Sequence, residues 1–416
     1  MLGRASLDPA YGTDGTAEER TTMAKKNFLQ KKDVCIVSYA ETKIDRTTGK
    51  TAYELAAEVA EELFAKTKMK PADIDGVGFS VPISECSNPF WSNYATDYLG
   101  ISPRWLQTSD LGGASCIANV ARGAMALQND ICETVMLIGA DAPSTKWSAN
   151  YGAYRNEFWE PTGINGPPGA FGLLYQRYMA QHDLDFRGLG ALAVAQRNGA
   201  VVNDLAYEKF RQKITIDDYI NSRQVSSPLR LLDSVMFCDG GNGVVMMKTE
   251  RAKKLGFTNL VYPISYSEMT NFKCADQTPD ITESAHSVSG PDALQLAGLK
   301  ASDISMFHPY DDFLIAVMLK LEQIGFCKRG EGSQFLRDTD LSPTGALPIN
   351  TGGGQIGAGQ PGLAGGGLNL VECVRQLMGE AKGRQVPNPK NGMVTGIGVI
   401  PYGRNWGTGN VMILSK

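Results

Sequence analysis

The chain has 416 residues and a formal net charge of −4, and its composition is 43 % hydrophobic and 20 % charged. A balance so close to neutral gives no electrostatic reason to expect nucleic acid or an anionic membrane as a partner. No apolar run reaches the roughly 18–20 residues of a membrane span, and no secretory pattern opens the sequence, so we predict a folded cytoplasmic protein.

The N-terminal segment, residues 1–32, is polar and lacks periodicity, so we predict a disordered tail there. From residue 33 onward, short apolar runs that indicate strands alternate with segments whose apolar residues recur every three or four positions, as in helices. The predicted strands are 33–39, 76–81, 105–108, 134–139, 244–247, 261–266, 304–308, 393–399 and 410–414. The predicted helices are 51–66, 114–128, 290–297, 314–324 and 368–378.

The second half of the chain repeats the order of the first. Residues 291–304 follow the same plan as residues 54–74, with a helix, a short turn and an A/S-D-I step into a strand. We therefore predict a duplicated α/β domain with buried parallel strands, one half at 33–256 and the other at 257–416.

Residues 142–230 interrupt this alternation and are rich in aromatic residues, with two of the five tryptophans and six of the fifteen tyrosines. We interpret them as an insertion within the first half of the chain that lies over the core and covers a site or makes a subunit contact. Two uses remain open for its aromatic side chains: lining a pocket for an apolar or aromatic acyl group, or packing within a core or interface. The aromatic residues are Trp147, Tyr151, Tyr154, Phe158, Trp159, Phe171, Tyr175 and Tyr178.

Eight cysteines are spread through the chain and none forms a C-x-x-C pair, while only three histidines accompany them. This spacing favours neither a zinc site nor a disulfide framework. We therefore predict reduced thiols and no bound metal.

The first candidate site is the sequence D-L-G-G-A-S-C-I-A-N at residues 110–119. Two glycines turn the chain between a strand and a helix of small residues, and a helix N-terminus favours a thiolate or an oxyanion. Cys116 lies about one turn into that helix. It is either a nucleophile or a small residue of the core.

The second candidate is F-H-P-Y-D-D-F at residues 307–313, which follows a strand, where α/β folds place their chemistry. Tyr310 or His308 could move a proton, and Asp311 could orient the group that does so. An ordinary polar loop is the alternative.

The third candidate is the glycine-rich stretch N-T-G-G-G-Q-I-G-A-G-Q-P-G-L-A-G at residues 350–365. Glycine at this density lets the backbone approach a ligand or another chain segment closely. No G-K-[ST] follows it, and no dinucleotide fingerprint with an acidic partner is present. The stretch therefore predicts neither a phosphate loop nor a dinucleotide site.

Together these motifs, with D-G-G at 239–241, make the chain resemble the thiolase superfamily over nearly all of residues 33–416. The similar branch contains sterol carrier protein x thiolases, archaeal acetoacetyl-CoA thiolases and steroid side-chain aldolases. The resemblance implies a thiolase fold of two βαβαβαββ halves in five layers (αβαβα). It also implies a dimer that acts on a carbon–carbon bond beside a CoA thioester.

The usual catalytic groups of that superfamily are altered in this chain. The nucleophilic cysteine of the elbow corresponds to Gly113, and the motif serine corresponds to Ser115, unless a local shift brings Cys116 into the role. The histidine of the G-H-P motif corresponds to Gln360, between Gly359 and Pro361. We expect Gly113, Ser115 and Gly359 to contact substrate.

Two further family positions also differ. The late cysteine that serves as acid and base has no counterpart in residues 396–403. The box that reads N-E-A-F or H-D-x-F in the family reads Y-D-D-F here and begins with Tyr310, as in the steroid aldolases. Those aldolases have a second tyrosine near the G-H-P position, where this chain has Gln360.

Three functions fit the resemblance. The leading one is CoA-dependent thiolytic cleavage of a 3-oxoacyl-CoA, including aromatic substrates of the benzoylsuccinyl-CoA type. Cys116 would take the acyl group, Gln360 would polarise the thioester, and His308 or Tyr310 would manage protons. The second is retro-aldol cleavage of a β-hydroxyacyl-CoA by Tyr310 and Asp311. The third is a non-catalytic subunit that binds acyl-CoA.

The resemblance also implies ligands and partners. We expect coenzyme A as a substrate and no tightly bound cofactor. We further expect a homodimer and a small partner subunit made of a zinc ribbon and an OB fold.

Overall fold

The computed structural model describes residues 26–148, 160–164, 166–274, 276, 280–398 and 406–416. Residues 26–32, which we assigned to a disordered tail, are ordered. The side-chain amide of Asn27 donates to the carbonyls of Ile264 and Leu296, each at 2.8 Å, and Leu29 is fully buried. The predicted tail boundary at residue 32 is therefore too late, and residues 1–25 lie outside the described part.

Two mixed sheets form the frame of the protein, in the orders β1-β7-β4-β2-β3 and β8-β11-β10-β9. The strands are β1 (Val34–Glu41), β2 (Gly76–Ser80), β3 (Trp105–Ser109), β4 (Thr134–Asp141), β5 (Gln224–Ser226), β6 (Leu229–Arg230), β7 (Gly240–Lys248), β8 (Tyr262–Thr270), β9 (Phe307–His308), β10 (Asn391–Ile397) and β11 (Thr408–Ser415). In the second sheet β8, β11, β10 and β9 take the places of β1, β7, β4 and β2. This correspondence confirms the predicted duplication.

The strand directions correct one detail of the prediction. Strand β2 is parallel to β3 and β4, and β9 is parallel to β10. The strand that closes each half, β7 or β11, is antiparallel to both of its neighbours. The expectation of parallel strands therefore holds for β2 with β3 and β4 and for β9 with β10, and it does not hold for the pairs that β7 and β11 form.

Twelve α-helices lie within the described residues. They are α1 (Ala52–Thr67), α2 (Trp91–Tyr98), α3 (Ser115–Gln128), α4 (Gly166–Met179), α5 (Phe186–Val201), α6 (Ile216–Asn221), α7 (Thr249–Lys254), α8 (His286–Ala297), α9 (Leu314–Ile324), α10 (Gly332–Asp338), α11 (Gly354–Ala358) and α12 (Gly365–Met378). None of the helices in this part of the chain has both the length and the apolarity of a membrane span.

Three apolar clusters define five layers. One cluster joins α1 to the outer face of the first sheet. A second surrounds α3 and α12 between the two sheets, and a third joins α8 and α9 to the outer face of the second sheet. The alternation of side chains along each strand supplies both faces with apolar groups, so the αβαβα layering is confirmed.

The inserted segment packs mainly on the second half rather than on the first. Phe171 of α4 stacks on Phe313 with ring centroids 3.9 Å apart, and Tyr175 and Tyr178 are buried in the same cluster. These three aromatic side chains therefore belong to a core. The predicted aromatic residues at 151, 154, 158 and 159 lie outside the described residues, and Trp147 is half exposed.

Candidate functional site

The elbow between β3 and α3 forms as the sequence indicates. Gly112 has a positive φ of 54°, and a 3₁₀ turn at Gly112–Ala114 leads directly into α3. The Ser115 hydroxyl accepts a hydrogen bond from the Leu111 amide at 2.9 Å. The Ser115 side chain therefore stabilises the turn. Its predicted contact with substrate stays a prediction.

A tyrosine side chain covers the position at which a nucleophile would stand. A Cβ atom on Gly113 would overlap the ring and the hydroxyl of Tyr310, which lies at the end of the second sheet. Glycine at 113 is thus required for Tyr310 to lie where it does. The phenol of one half meets the elbow of the other half at this point.

The backbone and the hydroxyl of Tyr310 are both held. Its amide donates to the carbonyl and to the hydroxyl of Thr395 on β10, each at 3.1 Å. Its carbonyl accepts a hydrogen bond from the Lys320 ammonium, and its phenol oxygen accepts from Gln360 Nε2 at 3.2 Å. The side chain is almost fully buried.

Gln360 links the phenol to a second glutamine. Its Nε2 also donates to Gln355 Oε1 at 3.0 Å. Gln360 Oε1 and Gln355 Nε2 are buried and have no hydrogen-bond partner among the described residues. A buried polar atom without a partner is costly, so one acceptor and one donor beside Tyr310 remain to be satisfied.

Gly359 places Gln360 in this network. It has a positive φ of 103°, and a Cβ there would lie 2.9 Å from Cys238 Sγ. Only glycine combines this conformation with so close an approach. Gly359 therefore sets the path of the chain into Gln360, and its contact with substrate stays a prediction.

Asp311 fastens three elements to one another. Its carboxylate accepts from Gln196 Nε2 at 2.6 Å, from Asn369 Nδ2 at 3.1 Å and from the amides of Gln355 and Ile356. Burial raises the pKa of Asp311 to about 6, while these donors lower it. These hydrogen bonds connect Asp311 to α5, α11 and α12.

The structure places the Cys116 thiol against the first sheet. Its Sγ lies 4.0 Å from Ser80 Oγ, and a Cβ on Gly139 would lie 3.0 Å from the same sulfur. Burial raises the pKa of the Cys116 thiol to about 11. A thiol with such a pKa is a poor nucleophile at neutral pH.

The nearby charged groups of His308 are Glu372 and Arg384. His308 is fully buried, and neither ring nitrogen has a hydrogen-bond partner among the described residues. Burial lowers the pKa of His308 to about 4, although the nearby Glu372 opposes that shift. The imidazole is therefore neutral at physiological pH and lies beside the charged residues of α12.

The glycine-rich stretch is packed against another part of the same chain. A Cβ on Gly357 would lie 2.8 Å from the Gln196 carbonyl, and a Cβ on Gly353 would lie 2.8 Å from Ala200 Cβ. Both neighbours belong to α5 of the inserted segment. The glycines therefore allow α5 to lie directly on this loop, which brings Gln196 to Asp311.

The sequence analysis missed Gln355, Gln196, Thr395 and Lys320, all of which reach Tyr310 or Asp311. Lys320 alone carried a signal, because it is the one lysine in an otherwise mostly apolar helix, L-I-A-V-M-L-K-L-E-Q-I. The other three are polar residues whose partners are far away along the chain. No local pattern indicates such pairs.

The chain is similar to known proteins. A family model described as "Thiolase C-terminal domain-like" matches residues 267–415. The 17-hydroxy-3-oxo-4-pregnene-20-carboxyl-CoA lyase of Mycobacterium tuberculosis is 28 % identical over 365 residues, which cover 83 % of this chain and 91 % of the relative. Benzoylsuccinyl-CoA thiolase subunit BbsB of Thauera aromatica is 31 % identical over 239 residues, or 55 % of this chain and 60 % of the relative.

A solved structure is similar over almost the whole chain. It is described as an Ltp2-ChsH2(DUF35) aldolase, and it superposes with a TM-score of 0.81 at 25 % sequence identity. The match covers 93 % of this chain and 98 % of that one.

Proposed function

Since this chain belongs to the thiolase superfamily, in the branch of the sterol carrier protein thiolases and steroid side-chain aldolases, we propose that it cleaves a β-hydroxyacyl-CoA by a retro-aldol reaction. Tyr310 is the acid–base group in this proposal. The observation that carries it is the phenol over Gly113, in the space that a nucleophilic side chain at the elbow would need.

Retro-aldol cleavage requires one group that transfers a proton and hydrogen-bond donors that stabilise the enolate oxygen. Tyr310, in its phenolate form, takes the proton of the β-hydroxyl group as the bond between the α and β carbons breaks. The electron pair of that bond passes to the thioester as an enolate, and the β carbon leaves as a carbonyl product. The Tyr310 phenol then returns this proton to the enolate carbon, which gives the shortened acyl-CoA and restores the phenolate. No covalent acyl-enzyme is formed.

The two glutamines support this assignment. The unpaired Gln355 Nε2 is a donor for the thioester oxygen, where enolate charge develops, and the unpaired Gln360 Oε1 is an acceptor for a substrate hydroxyl. Gln360 Nε2 donates to the Tyr310 oxygen at 3.2 Å, and a hydrogen bond to an ionised phenol favours the charged form. Neither amide can carry a proton at neutral pH, which leaves proton transfer to Tyr310.

Thiolytic cleavage remains the competing proposal, and the similarity to a benzoylsuccinyl-CoA thiolase subunit favours it. It requires Cys116 to leave its place beside Ser80 and reach the elbow. The Cys116 thiol is buried against the first sheet and has a raised pKa. Both observations favour a structural role for Cys116 over the role of a nucleophile in thiolysis. A subunit that only binds acyl-CoA is the third proposal.

Two partners complete the proposal. The similar solved aldolase contains a DUF35 component, and we infer a partner subunit, expected from the sequence to be a zinc-ribbon and OB-fold chain.

We also infer a homodimer through the outer edge of β3, where more than half of each of Phe90, Tyr94 and Tyr98, at the start of α2 and within it, is exposed. Sedimentation should show a dimer that Tyr94→Glu dissociates, and a monomeric wild type would contradict the homodimer.

The deciding experiment compares two CoA thioesters with the same carbon skeleton, one with a β-hydroxyl group and one with a β-oxo group. The protein is tested alone and together with its small partner chain. We expect cleavage of the hydroxy compound without added CoA. We also expect quenched mass spectrometry to find no acyl adduct on cysteine.

Three outcomes overturn the proposal in different ways. Cleavage of the oxo compound that requires free CoA, with an adduct on Cys116, would establish thiolysis. Binding of both compounds without turnover would leave an acyl-CoA-binding subunit. Cleavage of the hydroxy compound that survives Tyr310→Phe would remove Tyr310 from the mechanism.

A further inference from the structure

A lysine is buried behind Tyr310. Lys320 lies in the middle of α9, its side chain is among the largest fully buried ones, and the helix residues around it, such as Val317 and Leu321, are apolar. An ammonium group taken out of water costs several kcal/mol unless charged or polar partners compensate. Lys320 is therefore retained at a cost, and its contacts indicate why.

The ammonium donates to the main-chain carbonyl of Tyr310. Two buried carboxylates, Asp311 and Asp312, act on it from the loop after β9, and it acts on His286 of α8. Asp311 is already engaged by donors from α5, α11 and α12. Burial lowers the pKa of Lys320 and raises the pKa of Asp312, and their mutual attraction opposes both shifts.

Charge compensation alone does not require this geometry. The Asp312 carboxylate accepts a hydrogen bond from the amide of the next residue, Phe313, at 3.0 Å. The Lys320 ammonium instead donates to the Tyr310 carbonyl. A charged donor makes a stronger hydrogen bond than a neutral one. The Tyr310 amide donates to Thr395. Both polar groups of the Tyr310 backbone are therefore hydrogen-bonded.

We propose that Lys320 is a positioning residue, which holds the Tyr310 backbone so that the phenol lies over Gly113. The inference rests on the proposed function only for its effect on turnover. The claim about the position of Tyr310 can be measured in the absence of any reaction. The alternative is that Lys320 serves only to neutralise Asp312.

The test uses three variants of the full chain. Lys320→Met keeps the apolar stem and removes the charge. The double variant Lys320→Met/Asp312→Asn removes the charge and its nearby carboxylate together, so that no uncompensated charge remains at that pair. Lys328→Met is the control, because Lys328 follows the same helix and its side chain is 86 % exposed.

For the β-hydroxyacyl-CoA reaction, we expect Lys320→Met to lower kcat by about 30-fold to 100-fold, with KM changed by less than about threefold. We expect the double variant to recover the wild-type Tm but not kcat. If the double variant recovers kcat together with Tm, Lys320 only neutralises Asp312 and the proposal is overturned. The double variant gives this answer even if the single variant does not fold.

A second readout separates this proposal from the proposed function. The protein is labelled with 3-fluorotyrosine, and the ¹⁹F resonance of Tyr310 is assigned by its absence in Tyr310→Phe. We expect Lys320→Met and the double variant to shift or broaden that resonance, and Lys328→Met to leave it unchanged. A resonance that shifts in a protein without retro-aldol activity would contradict the proposed function alone. An unchanged resonance would contradict the positioning role alone.

Discussion

The two middle-layer helices begin in the same way. A 3₁₀ turn at Gly112–Ala114 precedes α3, and a 3₁₀ turn at Gly362–Ala364 precedes α12, and both helices have 14 residues. The two starts meet, since a Cβ on Gly366 would overlap the Gly113 carbonyl. Their surroundings nevertheless differ in polarity and in purpose.

The start of α3 accepts a side chain from the other half, whereas α12 carries a buried ionic network. In that network Arg375 pairs with Glu41 at 2.8 Å and with Glu372 at 2.6 Å, and Arg384 pairs with Glu372 at 3.0 Å. The two halves therefore repeat the same backbone, a 3₁₀ turn followed by a helix, with different side chains around it. The turn before α3 leaves space for the Tyr310 ring, whereas α12 carries ion pairs that connect it to β1 and to Arg384.

The largest expected effect concerns the ionic network. Glu372→Gln leaves Arg375 and Arg384 without their shared carboxylate in a buried place, so we expect unfolding to become easier by about 3–5 kcal/mol. Chemical denaturation measures the change. Glu58→Gln is the control, because its pair with Lys50 is solvent-exposed and should contribute at most about 1 kcal/mol. Equal losses in both variants would show that burial does not matter here.

The same carboxylate sets a pH dependence. Its two arginine partners lower the pKa of Glu372 from 4.5 to about 2. Because this folded-state pKa lies below the unfolded value, the stabilisation is fully present above pH 4.5 and is lost as the pH falls through about 2. The difference in unfolding free energy between wild type and Glu372→Gln should therefore shrink by about 3 kcal/mol over that window. A difference independent of pH would refute the assignment.

The next effect concerns the elbow of α3. Gly113→Ala adds a Cβ where the Tyr310 ring lies, so we expect kcat to fall by about 100-fold, or about 2.7 kcal/mol. Gly123→Ala in the following helix, α3, is the control, with Val135 Cγ1 as its nearest neighbour at 3.3 Å. It should leave kcat unchanged. Full activity of Gly113→Ala would mean that the position of Tyr310 over Gly113 is not needed.

The smallest effect is expected at Cys116. Cys116→Ser replaces a buried thiol beside Ser80, and we expect kcat within about twofold of wild type, with a stability loss of about 1–2 kcal/mol. Steady-state rates with β-hydroxyacyl-CoA and 3-oxoacyl-CoA substrates check this prediction. Loss of activity in a folded Cys116→Ser protein would instead favour thiolysis.

Apolar periodicity was sufficient to predict the alternating strands and helices and the duplicated halves, because it reports which face of an element is buried. The five layers followed from the resemblance to the thiolase superfamily. The strand at 304–308 was predicted too long, since only Phe307 and His308 pair with β10. The segment at 350–365 was predicted as a glycine-rich stretch whose backbone approaches a ligand or another chain segment closely, and it also includes the short helix α11. The glycines of this segment are explained by close contacts with α5. Because α5 is distant in sequence, no local pattern predicts these contacts.

The site was only partly predictable. His308 and Tyr310 are two residues apart and would share one face of a continuing strand, but β9 ends at His308. Their side chains have different neighbours, since Tyr310 accepts from Gln360 and His308 lies near Glu372 and Arg384. Gly113 and Cys116 are three apart, but Gly113 lies in the 3₁₀ turn before α3. Helical spacing does not describe how the two residues are related.

The most direct test of the central claim is the rate of retro-aldol cleavage by Tyr310→Phe, measured with the partner subunit present. The substitution removes only the hydroxyl, which lies against Gly113 and accepts from Gln360. We expect kcat to fall by about 10²-fold to 10⁴-fold, the usual contribution of a general acid–base group, with substrate binding retained. A Tyr310→Phe protein that cleaves the β-hydroxyacyl-CoA at the wild-type rate would contradict the account.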